Sequence, residues 1–144
     1  QKNYKKLIVK THPRSEFDNP ITNLIKEIDP TITIIYNANI IELINSSELV
    51  ITFNNSTIAL ESLILEKPTI SLQMEKWAEL EDIVKMNAII SISNIDEIES
   101  NITKILQNQE FQNSLLKNAN IFVNQYLSYG GKSSKNLAKI LDEF

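Results

Sequence analysis

The sequence of 144 residues predicts an α/β protein with a Rossmann-like, three-layer α/β/α arrangement and a helical C-terminal segment. Five short β-branched or apolar runs are separated by segments whose apolar residues recur at helical spacing, which favours a mostly parallel sheet of about five strands. Several of these runs lack polar alternation, as is typical of strands covered on both faces. The composition, 42% hydrophobic and 22% charged, fits a globular chain with a real core, so we expect residues 1–144 to form a single domain.

The predicted strands are short and bounded by turn-forming residues. Pro13 ends the first strand, because proline cannot donate to a ladder. Pro30 precedes the second strand, a β-branched run, and Pro68 precedes the fourth. The five predicted strands cover residues 6–10, 31–36, 49–53, 69–72 and 88–92.

The remaining segments predict helices. Pro20, close behind Asp18, marks the start of the first helix, because proline is favoured in a first helical turn. The pair Gly130–Gly131 separates the last two helices. The predicted helices cover residues 20–28, 40–44, 57–66, 77–84, 95–106, 111–127 and 134–141.

Charge and composition exclude several classes of protein. The net charge of −4 argues against a nucleic-acid partner, which would need a basic surface. The chain has no cysteine and one histidine, so no Cys or multi-His metal site is expected, and we predict no metal or other cofactor. Gly130 and Gly131 are the only glycines, which excludes GxGxxG and Walker A loops. No apolar run approaches the length of a membrane span and no signal peptide opens the chain, so we expect a cytoplasmic location.

Polar residues follow the predicted strands, where ligands bind in open parallel sheets. His12, the only histidine, follows the first strand, and residues 54–57, Asn-Asn-Ser-Thr, follow the third. Free backbone N–H groups at the start of the next helix, with the hydroxyls of Ser56 and Thr57, would form a phosphate site. Glu61, one turn after Thr57, would accept hydrogen bonds from ribose hydroxyls.

Each candidate residue also has a structural interpretation, which the sequence leaves open. Asn55 or Ser56 can act as a helix cap alone, with Glu61 in solvent. His12 can bind a phosphate or transfer a proton, since its ordinary pKa lies near neutrality, or it can pack beside Pro13 as a loop residue.

Three segments, in this order, resemble the C-terminal domain of GT-B glycosyltransferases. They are IVKTHP at residues 8–13, NIIELINSSELVITFNNSTIALESLILEKPTI at residues 39–70 and YGGKSSKNLAKIL at residues 129–141. The pattern is similar to enzymes of capsule and surface polysaccharide synthesis. Among these are the bacterial CMP-sialic-acid-dependent sialyltransferases and polysialyltransferases and, more distantly, the CDP-glycerol glycerophosphotransferases.

The resemblance implies a role for each candidate residue. His12 and Pro13 match a His-Pro motif, and Ser56 and Thr57 match a Ser-Ser or Ser-Thr motif; both motifs contact the nucleotide phosphate of the donor. Glu61 matches an acidic residue that binds the donor ribose. Asn55 is expected to belong to the same phosphate site. His12 would be the catalytic residue, because it would neutralise the leaving nucleotide in an inverting, metal-independent transfer.

The chain also departs from the family. Glu66 stands where a glycine is commoner, and Tyr129 precedes Gly130 where an acidic residue is expected. The N-terminal domain, which binds the saccharide acceptor and usually supplies the catalytic base, is absent, so we expect the isolated domain to bind a nucleotide sugar without turnover. The resemblance also allows peripheral membrane association of the full-length enzyme.

Other functions stay open. One is a UDP-N-acetylglucosamine 2-epimerase-like GT-B domain, although the expected acids and glycine-containing phosphate turn are absent. Others are a non-catalytic flavodoxin-like nucleotide-binding or interaction module, and a degenerate domain kept for protein contacts, which would bind no nucleotide.

Overall fold

The computed structural model describes residues 6–12, 20–54, 56–74, 81–127 and 129–142. Within these ranges the chain forms an α/β fold of five strands and seven α-helices, with a 3₁₀ turn over Ile95–Glu97. The strands are β1 (Ile8–Lys10), β2 (Thr33–Ile35), β3 (Val50–Phe53), β4 (Thr69–Leu72) and β5 (Ile90–Ile92). The helices are α1 (Pro20–Ile28), α2 (Ile40–Ser46), α3 (Ile58–Ile64), α4 (Glu81–Lys85), α5 (Ile98–Gln107), α6 (Gln109–Tyr126) and α7 (Ser133–Leu141).

The strands form two parallel sheets. β1 pairs with β2, and β3, β4 and β5 pair in that order, with Ile51 opposite Ile70 and Ile70 opposite Ile90. The predicted α/β class and parallel strands are confirmed. The largest sheet in the described ranges has three strands, whereas the sequence predicts about five strands in one sheet. The number differs from the prediction because local sequence patterns indicate strands but not which strands pair.

The chain divides into two compact units, Gln1–Leu43 and Ile44–Phe144. The expectation of one domain over residues 1–144 stays a prediction. In the first unit, Asp29 Oδ1 accepts hydrogen bonds from the N–H of Thr31 at 2.8 Å and from its hydroxyl at 2.6 Å, which joins α1 to β2 through a tight turn. The predicted apolar stripe of α1 is largely exposed, with Ile28 at 74%, because a two-stranded sheet offers little surface to cover it.

Both faces of the three-stranded sheet in the second unit are covered at its central strand, because all four residues of β4 are buried. Side chains alternate along β4, so Ile70 and Leu72 pack on one face and Thr69 and Ser71 point to the other. One apolar cluster joins the first face to α5 and α6 through Ile70, Leu72, Ile92, Ile105 and Leu115. The second joins α3, α4 and α6 through Leu63, Ile83, Ala88, Ile89, Ala119 and Phe122.

The apolar residues of α6 are predicted to lie in the core: Phe111, Leu115, Leu116, Ile121 and Phe122. Leu115 and Phe122 are buried and Phe111 and Leu116 are half-buried, whereas Ile121 is 47% exposed, because it lies about 100° around the helix from Phe122. The sequence also predicts a core-facing stripe that includes Trp77 and Leu80, which lie outside the described residues.

Two helices end in left-handed residues. Glu66 has φ +56°, its N–H donates to Leu63 O at 3.0 Å, and the N–H of Lys67 donates to Ser62 O at 2.9 Å. The same pair of bonds, a Schellman motif, surrounds Asn87, which has φ +52° and follows α4. These motifs turn the chain from α3 toward β4 and from α4 toward β5.

Candidate functional site

The carboxyl ends of β3, β4 and β5 lie at one edge of the sheet. The parallel register places Phe53 beside Leu72 and Leu72 beside Ile92. The residues that follow these strands, beginning at Asn54 and Gln73, therefore come together, as the sequence predicts for a ligand site.

Asn54 ties the turn after β3 to the end of β4. Its φ is +49°, a left-handed conformation that asparagine tolerates better than most residues. Its side-chain oxygen accepts a hydrogen bond from the N–H of Met74 at 3.2 Å. Its backbone oxygen accepts from the Ser71 hydroxyl at 2.9 Å and from the Ser56 N–H at 3.0 Å. The loop that carries Ser56 and Thr57 is thus anchored to the next strand.

Gln73 and Ser71 extend this network toward β5. The Gln73 amide donates to the Ser71 hydroxyl at 2.8 Å, and the Gln73 N–H donates to Ile92 O at 2.7 Å. The sequence places Gln73 at a strand end but gives no sign of the bond from the Ser71 hydroxyl to Asn54 O, because that bond depends on the pairing of β3 with β4.

The backbone N–H groups at the start of α3 are mostly occupied. The N–H of Ile58 donates to the Ser56 hydroxyl oxygen at 3.3 Å, that of Ala59 to Ser56 O at 3.1 Å, and that of Leu60 to Thr57 O at 3.0 Å. The expectation of free N–H groups here is wrong, because the helix begins with a tight turn that satisfies them internally. Ser56 keeps its hydroxyl proton as a donor, and the side chain of Thr57 is exposed.

Glu61 is the most unusual polar residue at this edge. Its side chain is half-buried, and its Oε2 atom is fully buried with no hydrogen-bond partner among the residues that the structure describes. The alternative in which Glu61 is simply solvated is therefore wrong for this oxygen. Buried acceptors are almost always paired in folded proteins, so a donor is expected at this position.

The remaining candidate residues lie elsewhere. His12 is exposed, follows β1 and belongs to the first unit, whereas Ser56, Thr57 and Glu61 belong to the second. Pro13 and Asn55 lie outside the described residues. A shared phosphate site of His12 with Ser56 and Thr57 therefore stays a prediction.

Among the described residues, no group of three His, Cys, Asp or Glu side chains is arranged to hold a metal ion. In the same part of the chain, no helix combines the length and the hydropathy that crossing a bilayer requires. No protein-family model, curated protein or solved structure matches this chain.

Proposed function

We propose that this chain is the donor-binding domain of a cytoplasmic glycosyltransferase of surface or capsular polysaccharide synthesis. Its donor is a nucleotide sugar linked to CMP or CDP, and the transfer is inverting and metal-independent. The observation that carries the proposal is the buried Oε2 of Glu61 in α3, the helix that follows β3, which has no hydrogen-bond partner among the described residues.

The vicinal hydroxyls of a ribose supply this donor once the Glu61 side chain rotates, because Oε2 has no surface open to a ligand in its present position. Hydrogen bonds to a charged acceptor such as a carboxylate are stronger than neutral ones. Thr57 lies four residues before Glu61, about 6 Å along the helix axis, so one nucleotide reaches both residues. The hydroxyls of Ser56 and Thr57 then donate to the phosphate.

Apolar surface beside the same strands favours a nucleobase. Phe53, the last residue of β3, is 65% exposed, and Met74, just beyond β4, is 56% exposed. Aromatic rings and thioethers are good contacts for a flat aromatic base. The resemblance assigns His12, in the first unit, the role of neutralising the leaving nucleotide, and it assigns the acceptor and the catalytic base to a second domain.

Ligand-dependent thermal shifts, followed by calorimetry, test the proposal. The ligands are CMP, CDP, UMP, UDP, GDP, FMN and, as the matched control for the ribose contact, 2′-deoxyCMP. A ligand that binds only the native state raises its stability by mass action, so weak binding is detectable. We expect a cytidine nucleotide to bind, and His12→Ala and Ser56→Ala to weaken it.

Two changes test the role of Glu61, one in the protein and one in the ligand, and the loss of affinity that each causes is compared. Glu61→Gln and the removal of the 2′-hydroxyl should each weaken binding at least about tenfold, since a hydrogen bond to a charged group contributes about 1.5–3 kcal/mol. The Glu61→Gln variant should bind 2′-deoxyCMP only a little more weakly than either single change binds its ligand, because both changes remove the same hydrogen bond. Glu110→Gln, an exposed carboxylate in the first turn of α6, is the matched control and should bind normally. Absence of binding by any nucleotide, or equal affinity for CMP and 2′-deoxyCMP, would contradict the proposal.

A further inference from the structure

A cleft of about 440 Å³ opens between α4, β5, α5 and α6 of the second unit. This volume lies within the range of small-molecule sites, roughly 300–1,000 Å³. Asn87 and Ile89 line it just before β5, on the amino-terminal side of that strand. It shares no lining residue with the strand-end site around Glu61.

The lining of this cleft selects for a neutral, hydroxyl-bearing ligand. None of the described residues that line it is ionisable, and the Lys104 ammonium nearby is engaged with the Phe111 ring, so the lining itself offers no charged partner to a phosphate or carboxylate. Three asparagines and two serines supply both donors and acceptors: Asn87, Asn101, Asn118, Ser91 and Ser114. Phe111, which is partly exposed, supplies an apolar face, and the buried side chains of Leu115 and Ile89 lie beneath it.

Several of these groups are held in place without the ligand. The Asn101 amide donates to Glu97 O at 2.8 Å, which leaves its side-chain oxygen as an acceptor. The Asn118 amide makes a longer contact of 3.5 Å with Asn87 O. The Lys104 ammonium lies 3.8 Å from the centre of the Phe111 ring and fixes one face of that ring by a cation–π contact.

We propose that this cleft is a binding site for a neutral saccharide. The hydroxyls of the sugar bond to the amides of Asn101 and Asn118, and an apolar face of the pyranose packs against Phe111. Fixed amides and a held ring reduce the entropy lost on binding. The site requires no nucleotide, so it stands independently of the proposed donor site.

Chemical-shift mapping of the ¹⁵N-labelled chain tests the site with cellobiose, lactose and N,N′-diacetylchitobiose. We expect at least one neutral disaccharide to shift the amides of residues 87–91 and 111–118 saturably. Asn118→Leu and Asn101→Leu, two variants close in size to the native residue, should each weaken that binding at least tenfold. Asn113→Leu, on an exposed part of α6, should bind as the wild type does.

The matched pair of lactose and sialyllactose tests the charge argument, with lactose expected to bind more tightly. The site would be overturned if no neutral disaccharide causes saturable shifts, if both leucine variants bind normally, or if sialyllactose binds as well as lactose. CMP serves as an independent probe, because its shifts should fall at the strand ends around residues 54–61.

Discussion

Replacing Glu61 with methionine should stabilise the ligand-free protein. The substitution removes the buried, unpartnered Oε2 and keeps an unbranched side chain of similar length. An unsatisfied buried acceptor costs about 1–3 kcal/mol, and the low end applies because the rest of the side chain is half-buried. Loss of a carboxylate near a helix start removes about 0.3–1 kcal/mol, whereas glutamate and methionine have similar helix propensities. The net gain is about 1 kcal/mol at most.

Urea denaturation measures this change. For a slope of about 2 kcal/mol per molar, the midpoint of Glu61→Met should rise by up to about 0.5 M. The same variant should lose the stabilisation that a cytidine nucleotide gives the wild type. A substitution that stabilises the free protein often weakens ligand binding, because binding sites keep polar groups that are unfavourable without the ligand.

Glu110→Met provides the control, because Glu110 also lies in a first helical turn but is exposed. Its urea midpoint should fall slightly, because this variant loses only the favourable interaction of a carboxylate with the start of a helix. If Glu61→Met unfolds at the same urea concentration as Glu110→Met, or at a lower one, the Oε2 atom has a partner in solution. The argument for a ribose at this position would then fail.

Three further predictions concern other parts of the chain. Glu66→Gly should raise the free energy of unfolding by about 0.5–1 kcal/mol, because left-handed strain of about 1–2 kcal/mol is relieved and the added freedom of the unfolded chain offsets part of the gain. Phe53→Ala should weaken nucleotide binding several-fold in calorimetry and change stability little, since its side chain is 65% exposed. Hydrogen bonds from the Thr31 hydroxyl and N–H hold the pKa of Asp29 below its ordinary value of 3.8. The stability advantage of wild type over Asp29→Asn should therefore be present above that pH and disappear in acid titrations as pH falls through the lower folded pKa.

Each of these predictions has a matched control. Glu66→Ala removes the carboxylate but keeps the Cβ, so it should not reproduce the gain of the glycine variant. Phe53→Tyr keeps the ring and should keep nucleotide affinity; equal losses in both variants would contradict a stacking role. Glu27→Gln removes an exposed carboxylate of α1 and controls for the loss of one negative charge in Asp29→Asn.

The candidate site was only partly predictable. Ser56, Thr57 and Glu61 were identified because a polar turn between a buried strand and a helix is visible in local sequence. Asn54 was not singled out, since its role depends on contacts with Ser71 and Met74, about twenty residues further along. The occupied N–H groups of α3 depend on the geometry of its first turn, which the sequence did not predict.

The sequence by itself determined the order and approximate limits of the strands and helices. β-branched runs, prolines and helical periodicity act over a few residues, so β1 to β5 and the described helices lie close to their predicted positions. Tertiary structure decided how the strands pair in two sheets and why the apolar stripe of α1 is exposed. It also decided that one oxygen of Glu61 is buried without a donor. These features depend on contacts between residues far apart in the chain, which no local pattern encodes.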